Sequence, residues 1–149
     1  MRALLLCLLT GCGYALVHPG TSVPRLGPIE DTSTEGQLGL RAAARLRRHF
    51  AGHPVGEERV AGHVVVGPDQ PAGYAADGRQ AFYRAEVELH LEALRGGEAV
   101  WRTQTRAAAT WPRGPDPLAT TTARQLALAD ASEAAADAAW DRYLARGLP

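Results

Sequence analysis

The most regular pattern in the chain lies between Tyr83 and Ala93. Tyr83, Ala85, Val87, Leu89, Leu91 and Ala93 alternate with Arg84, Glu86, Glu88, His90 and Glu92. A period of two puts one set on each side of a strand, so this strand has one buried face and one wet face. Gly96-Gly97 then predicts a hairpin into a second strand from Ala99 to Trp111. A two-residue loop would set Leu91 against Arg102 and mix the faces along the whole ladder. An odd loop instead aligns Leu89, Leu91 and Ala93 with Thr105, Thr103 and Trp101, and brings the glutamates to Arg102, Gln104 and Arg106. Because a slip of one residue inverts every side chain, the odd loop is expected.

Elsewhere the period changes. Leu38, Ala42, Leu46 and Phe50 recur every four residues with Ala43 beside them, the stripe of an amphipathic helix, and Arg41, Arg45 and Arg48 fall on another face. Thr34 and Gln37 have capping-box spacing at its start, and Gly52 and Pro54 end it. A short strand is expected from Arg25 to Ile29, brief or at an edge because Pro24 and Pro28 lack ladder donors. Arg59 to Gly67 reads as a β-branched strand, followed by a polar loop from Pro68 to Gly78. Asp116-Pro117 caps a long Ala-rich helix to about Ala145, with Gly147 as terminator. On it Leu128, Ala131, Ala135, Ala139 and Tyr143 form an apolar stripe opposite Asp130, Glu133, Asp137 and Asp141. The order β-α-β-β-β-α predicts an α+β two-layer sandwich, with two helices on one face of a four-stranded, mostly antiparallel sheet.

The N-terminus has a different character. Ala3 to Leu9 is apolar but far short of the ~20 residues a spanning helix needs. Arg2, this short apolar stretch and the small residues Thr10 and Gly11 have the layout of an export signal. Leu9-Thr10-Gly11-Cys12 also matches the lipobox of bacterial lipoproteins, in which cleavage before the cysteine frees a thiol for diacylglycerol and an amine for a further acyl chain. Several chains anchor a protein stably where one is marginal. The expected organisation is therefore a signal peptide over residues 1–11, a lipidated tether over 12–22 attached through Cys12, and one domain over 23–149. The other cysteine, Cys7, falls in the discarded segment, which leaves the mature chain no partner for a disulfide.

Sixteen basic residues, all arginine, balance sixteen acidic ones, without the basic excess of a nucleic-acid binder. Ser22, Ser33 and Ser132 sit in no nucleophile elbow. His49 and His53 have a spacing that could share a metal, but Gly52 and Pro54 break the helix and no third ligand is evident, so a solvated helix end is the simpler reading. Glu57, Glu58 and the acidic stripe of the last helix read as solvated faces. No catalytic residues, metal or cofactor are expected.

The lipobox running straight into Cys12-Gly13-Tyr14-Ala15-Leu16, the apolar-Pro-Ile segment before a Thr/Glu/Gly turn, and the helix that follows to Phe50 resemble the LptE family of outer-membrane lipoproteins. The hairpin and the long last helix are similar to that family as well. The resemblance implies a sandwich that plugs the LptD β-barrel, helps it assemble and contacts lipopolysaccharide in transit to the cell surface. The membrane is then reached through lipidated Cys12, with the protein on the periplasmic face of the outer membrane; Gly13 in place of Asp agrees with that sorting. Guanidinium groups suit the phosphates and carboxylates of such a glycolipid, and Arg102 and Arg106 on the wet sheet face are the candidate ligand-binding residues, although a cross-strand glutamate is the commoner partner for such arginines. The competing readings are an accessory lipoprotein of another envelope lipid transporter and, against the missing catalytic grouping, an envelope hydrolase.

Fatty-acid labelling tests the anchor. Incorporation should vanish in Cys12→Ala, with the protein lost from the membrane fraction, and label retained by that variant would contradict the lipoprotein reading.

Overall fold

The computed structural model describes residues 22–32 and 36–146. The expected signal peptide, Cys12, nearly all of the expected tether, Thr34 of the expected capping box and Gly147 lie outside the described residues. The elements are β1 (Val23–Asp31), α1 (Leu38–Phe50), β2 (Val55–Val66), β3 (Gln70–Tyr74), β4 (Gln80–Arg95), β5 (Glu98–Pro112) and α2 (Pro117–Ala145). The class is α+β as expected, with two helices and a mixed sheet.

The sheet has five strands where the sequence predicts four, because the polar segment after Gly67 contains β3. β2 and β3 follow one another along the same edge of β4, β2 against residues 87 to 94 and β3 against residues 80 to 84. They act as one line interrupted at Gly67-Pro68-Asp69. Pro71 and Gly73 give β3 no strand signature of its own, and pairing with the overhanging start of β4 is what extends it. β1 lies at the edge and pairs with β2 in parallel, while every other pair is antiparallel. Its register slips between Val23 and Arg25 and again between Leu26 and Ile29, across the two prolines.

The β4–β5 register is the expected one, reached by a different route. The loop is the two-residue one, with Gly96 at φ 60° and Gly97 at φ 90°, both in the left-handed region that favours glycine in a tight hairpin turn. Arg95 pairs with Glu98 and Leu94 with Ala99, and the ladder then skips Val100, so that Ala93 meets Trp101 and Leu89 meets Thr105. This one-residue bulge makes the correction an odd loop would have made.

Both helices cover the same face of the sheet and run in the same direction, with Leu38 beside Ser132 and His49 beside Trp140. Asp116 caps α2 by accepting from the Ala119 amide, and Pro117 takes the first helical position. At α1 no side chain of the N-cap residue Gln37 closes the helix; the Leu38 amide instead donates to Asp31 Oδ2 at 2.7 Å, a cap supplied by the end of β1. The core between the layers holds Val60, Val64, Val87, Leu89, Leu91, Trp111, Leu46 and Leu128. Ala131, Ala135, Ala136 and Ala139 let α2 approach the sheet closely, and its buried carbonyl at Ala135 accepts from Thr105 Oγ1 at 2.8 Å. Gly62 is needed for close strand approach, since a Cβ there would lie 1.9 Å from the His90 carbonyl oxygen.

Leu89 is 0% exposed, so Leu89→Ala should cost about 2–5 kcal/mol in urea denaturation. Glu86 is exposed on the other face, and Glu86→Ala should stay within about 0.5 kcal/mol. Equal losses would mean that the two faces are misassigned.

Candidate functional site: the uncovered sheet face

The face of the sheet opposite the helices carries no covering layer among the described residues. The alternation of β2, β4 and β5 lines it with polar side chains. Arg106 Nε lies 2.9 Å from Glu88 Oε1 and Arg102 Nη2 lies 2.9 Å from Glu92 Oε1. Gln104 also donates to Glu88, and His90 Nε2 is 3.3 Å from the same carboxylate. His90 stacks on its cross-strand partner His63, with ring centroids 4.7 Å apart and planes 7° from parallel. These rings, with Glu92, Arg102 and Gln104, border a shallow groove of about 520 Å³.

The two candidate arginines are thus brought to one face and one strand, each paired with a glutamate of β4. Their heads remain wet, with side chains 74% exposed for Arg102 and 60% for Arg106. A guanidinium has five N–H donors in a fixed fork and each glutamate occupies one or two, so both arginines can still meet a second anion. In this arrangement the face presents donors and acceptors in alternation, suited to a polar surface or a phosphorylated sugar. Ser132, by contrast, is buried and donates to the Leu38 carbonyl at 2.8 Å.

Three ionic groupings differ from the sequence reading. Glu58, read there as solvated, is 5% exposed. It accepts from Arg95 Nη2 at 2.6 Å and Arg146 Nη2 at 2.7 Å, while Arg146 covers the Tyr143 ring 3.9 Å from its centroid. Burial alone would raise the Glu58 carboxyl, but the hydrogen bonds and charges of Arg146 and Arg95 outweigh it and hold the group below its ordinary value. Burial, opposed by Arg146 and reinforced by Glu58, raises the Tyr143 phenol; its hydroxyl donates to the Ser22 carbonyl at 3.2 Å. The signal for Glu58 was its parity with Val60 and Val64, which places all three on the core side of β2.

The acidic stripe of α2 is likewise divided. Asp137 faces α1 and takes Arg45 Nε at 2.6 Å, with His49 Nε2 also at 2.6 Å, and Glu133 sits 3.8 Å from Arg41. Chiefly the Arg45 hydrogen bond, against burial and with help from His49, keeps the Asp137 carboxyl below its usual range. His49 and His53 are not a solvated helix end: both pack on Trp140, at 5.6 Å stacked and 5.7 Å edge-on. Two residues four apart on each helix, Arg41 and Arg45 against Glu133 and Asp137, are the spacing that could have revealed the match.

The Glu58 grouping predicts an acid-sensitive contribution. Because its folded value is depressed, the stability it supplies is present above the unfolded carboxylate value and is lost as pH falls through the folded one. Glu58→Gln should therefore cost about 1–3 kcal/mol at neutral pH, with the gap to the wild type closing below about pH 4. A gap independent of pH would contradict the ionic account.

No known family profile matches the chain, and no curated relative does. Solved structures do share its fold. A chain from Caulobacter crescentus CB15 assigned to the lipoproteins is 21% identical, covering 81% of this chain and 93% of that one, with a TM-score of 0.54. Rare lipoprotein B from Shewanella oneidensis is 12% identical over 83% of this chain and 94% of its own, at a TM-score of 0.57. A minor lipoprotein from Acinetobacter baumannii is 12% identical over 87% and 97%, at 0.51. The chain therefore has a fold found in bacterial lipoproteins, spanning nearly the whole of each.

Proposed function

We propose that this chain is a lipoprotein of the outer membrane, held at its periplasmic face by lipid on Cys12, which plugs an LptD-type β-barrel, aids its assembly and contacts lipopolysaccharide on the way to the cell surface. It acts by binding and positioning, without turnover. The observation that carries this reading is the uncovered sheet face, where Glu88, His90, Glu92, Arg102, Gln104 and Arg106 form one hydrophilic surface on strands fixed by the core beneath. A fully apolar partner would leave these charges desolvated, which is costly. The lumen of a wide barrel is polar and water-filled and matches such a surface. The lipobox ending in Cys12 and a fold found in bacterial lipoproteins support the envelope setting.

Arg102 and Arg106 are assigned the contacts to phosphate or carboxylate groups of the barrel or the glycolipid. Photoreactive residues introduced at Gln104 on the sheet face and at Gln125 on α2 provide the test. Position 104 should crosslink to a β-barrel of the outer membrane. Combined reversal at Arg102→Glu and Arg106→Glu should weaken that capture more than reversal at Asp130 and Asp141, which are exposed on α2. Capture of an inner-membrane transporter subunit with no barrel product would replace the plug by the accessory-lipoprotein alternative.

A further inference from the structure

The arginines are not spread evenly along the molecule. One end gathers the start of β1, the α1–β2 turn, the β4–β5 hairpin and the C-termini of both helices. This is held by the Val23 amide donating to the Pro54 carbonyl at 2.8 Å, the Tyr143 bond to Ser22, and the two arginines on Glu58. Arg25, Arg47, Arg48, Arg59, Arg95 and Arg146 lie there, against the carboxylates Glu57, Glu58 and Glu98. Two helix C-termini subtract about half a charge each, which leaves the end positive. Arg25, Arg47, Arg48 and Arg59 make no ion pair among the described residues. Arg25 and Arg59 are moreover direct cross-strand partners, both exposed, a like-charged pair that is unfavourable without an anion between or above them. At the opposite end three of the four arginines are matched, Arg79 with Asp77 at 3.4 Å, Arg84 with Glu86 at 3.8 Å and Arg124 with Asp69 at 2.9 Å, and only Arg113 makes no ion pair among the described residues. A chain of zero formal net charge is thus polarised, with its positive end where Ser22 leads toward Cys12.

We infer that this end of the domain is a contact surface for anionic phospholipid headgroups. The inference rests on the proposed lipid anchor for its geometry, since the ten steps along the chain from Cys12 to Ser22 span at most about 36 Å. Within that reach the domain can still stand in any orientation, and the charge distribution selects one. Arginines near a membrane are drawn to its negative surface potential, and guanidinium forks bind lipid phosphates in bidentate fashion. Val55, 64% exposed at the start of β2 on the same end, adds an apolar contact at the headgroup level. Before a barrel is engaged, the uncovered sheet face then stands upright from the bilayer, with the β3–β4 hairpin farthest from it.

The lipidated protein, reconstituted into vesicles, tests this. Nitroxide probes at Val55→Cys and Leu118→Cys report contact with a headgroup-borne paramagnetic nickel chelate. In vesicles with one quarter phosphatidylglycerol the Val55 probe should be relaxed at least about threefold more than the Leu118 probe, and the difference should shrink in pure phosphatidylcholine or at 0.5 M salt, where the Debye length falls to about 4 Å. Arg47→Gln with Arg48→Gln, both exposed, should lessen the difference while leaving thermal unfolding unchanged. Equal relaxation of the two probes, or indifference to phosphatidylglycerol and salt, would overturn the inference while leaving the anchor intact. Mass spectrometry of Cys12 reports on the anchor separately. If it carries no lipid, the anchor fails by itself, and sedimentation of the unlipidated protein with phosphatidylglycerol vesicles then decides for or against the charged surface.

Discussion

The bulge at Val100 is the constraint on which the rest of this structure depends. With the tight Gly96-Gly97 turn and no bulge, Leu91 would oppose Arg102, and each face of the hairpin would mix charge with hydrocarbon. By skipping one residue the ladder puts Leu89, Leu91 and Ala93 over Thr105, Thr103 and Trp101, and Glu88 and Glu92 over Arg106 and Arg102. The buried side then has somewhere to pack, beneath two helices. The other side becomes a continuous polar surface whose ion pairs lie across strands. A single backbone irregularity thus creates both the core and the candidate site.

Helix placement follows from the core side of that hairpin. α2 lies close because its inward positions are alanines, and a few polar clips fix its height and rotation: Thr105 to the Ala135 carbonyl, Ser132 to the Leu38 carbonyl, and Asp137 to Arg45 and His49. Such bonds add little net energy when made but are expensive to leave broken, so they act mainly by selecting one arrangement. The Glu58 grouping does the same at the end of the sheet, joining β2, β4 and the last turn of α2 around one carboxylate.

Elements with strong periodicity were legible in the chain: the alternation of β4, the four-residue repeat of α1, the Asp116-Pro117 start of α2, and β1 as a proline-blunted edge. What escaped depends on partners distant in sequence. β3 is a strand only because β4 overhangs, so Pro71 and Gly73 conceal it from any local pattern. Asp31 replaces a local cap because the end of β1 happens to reach the start of α1. Glu58 and Asp137 read as surface acids since their arginines lie 37 or more residues away. Of the candidate site, the face and its residues were legible from parity alone, while the His63 and His90 stack needed the β2–β4 register.

The domain is built to show water, or a watery partner, one rigid hydrophilic sheet, carried on a polarised body behind a lipobox. The central claim is that a β-barrel of the outer membrane is that partner. Affinity purification of the tagged, lipidated protein from detergent-solubilised membranes, with mass spectrometry of the stoichiometric partner, tests it most directly. The account predicts an LptD-type barrel in about one-to-one amount; an inner-membrane transporter subunit in that place, with no barrel, would contradict it.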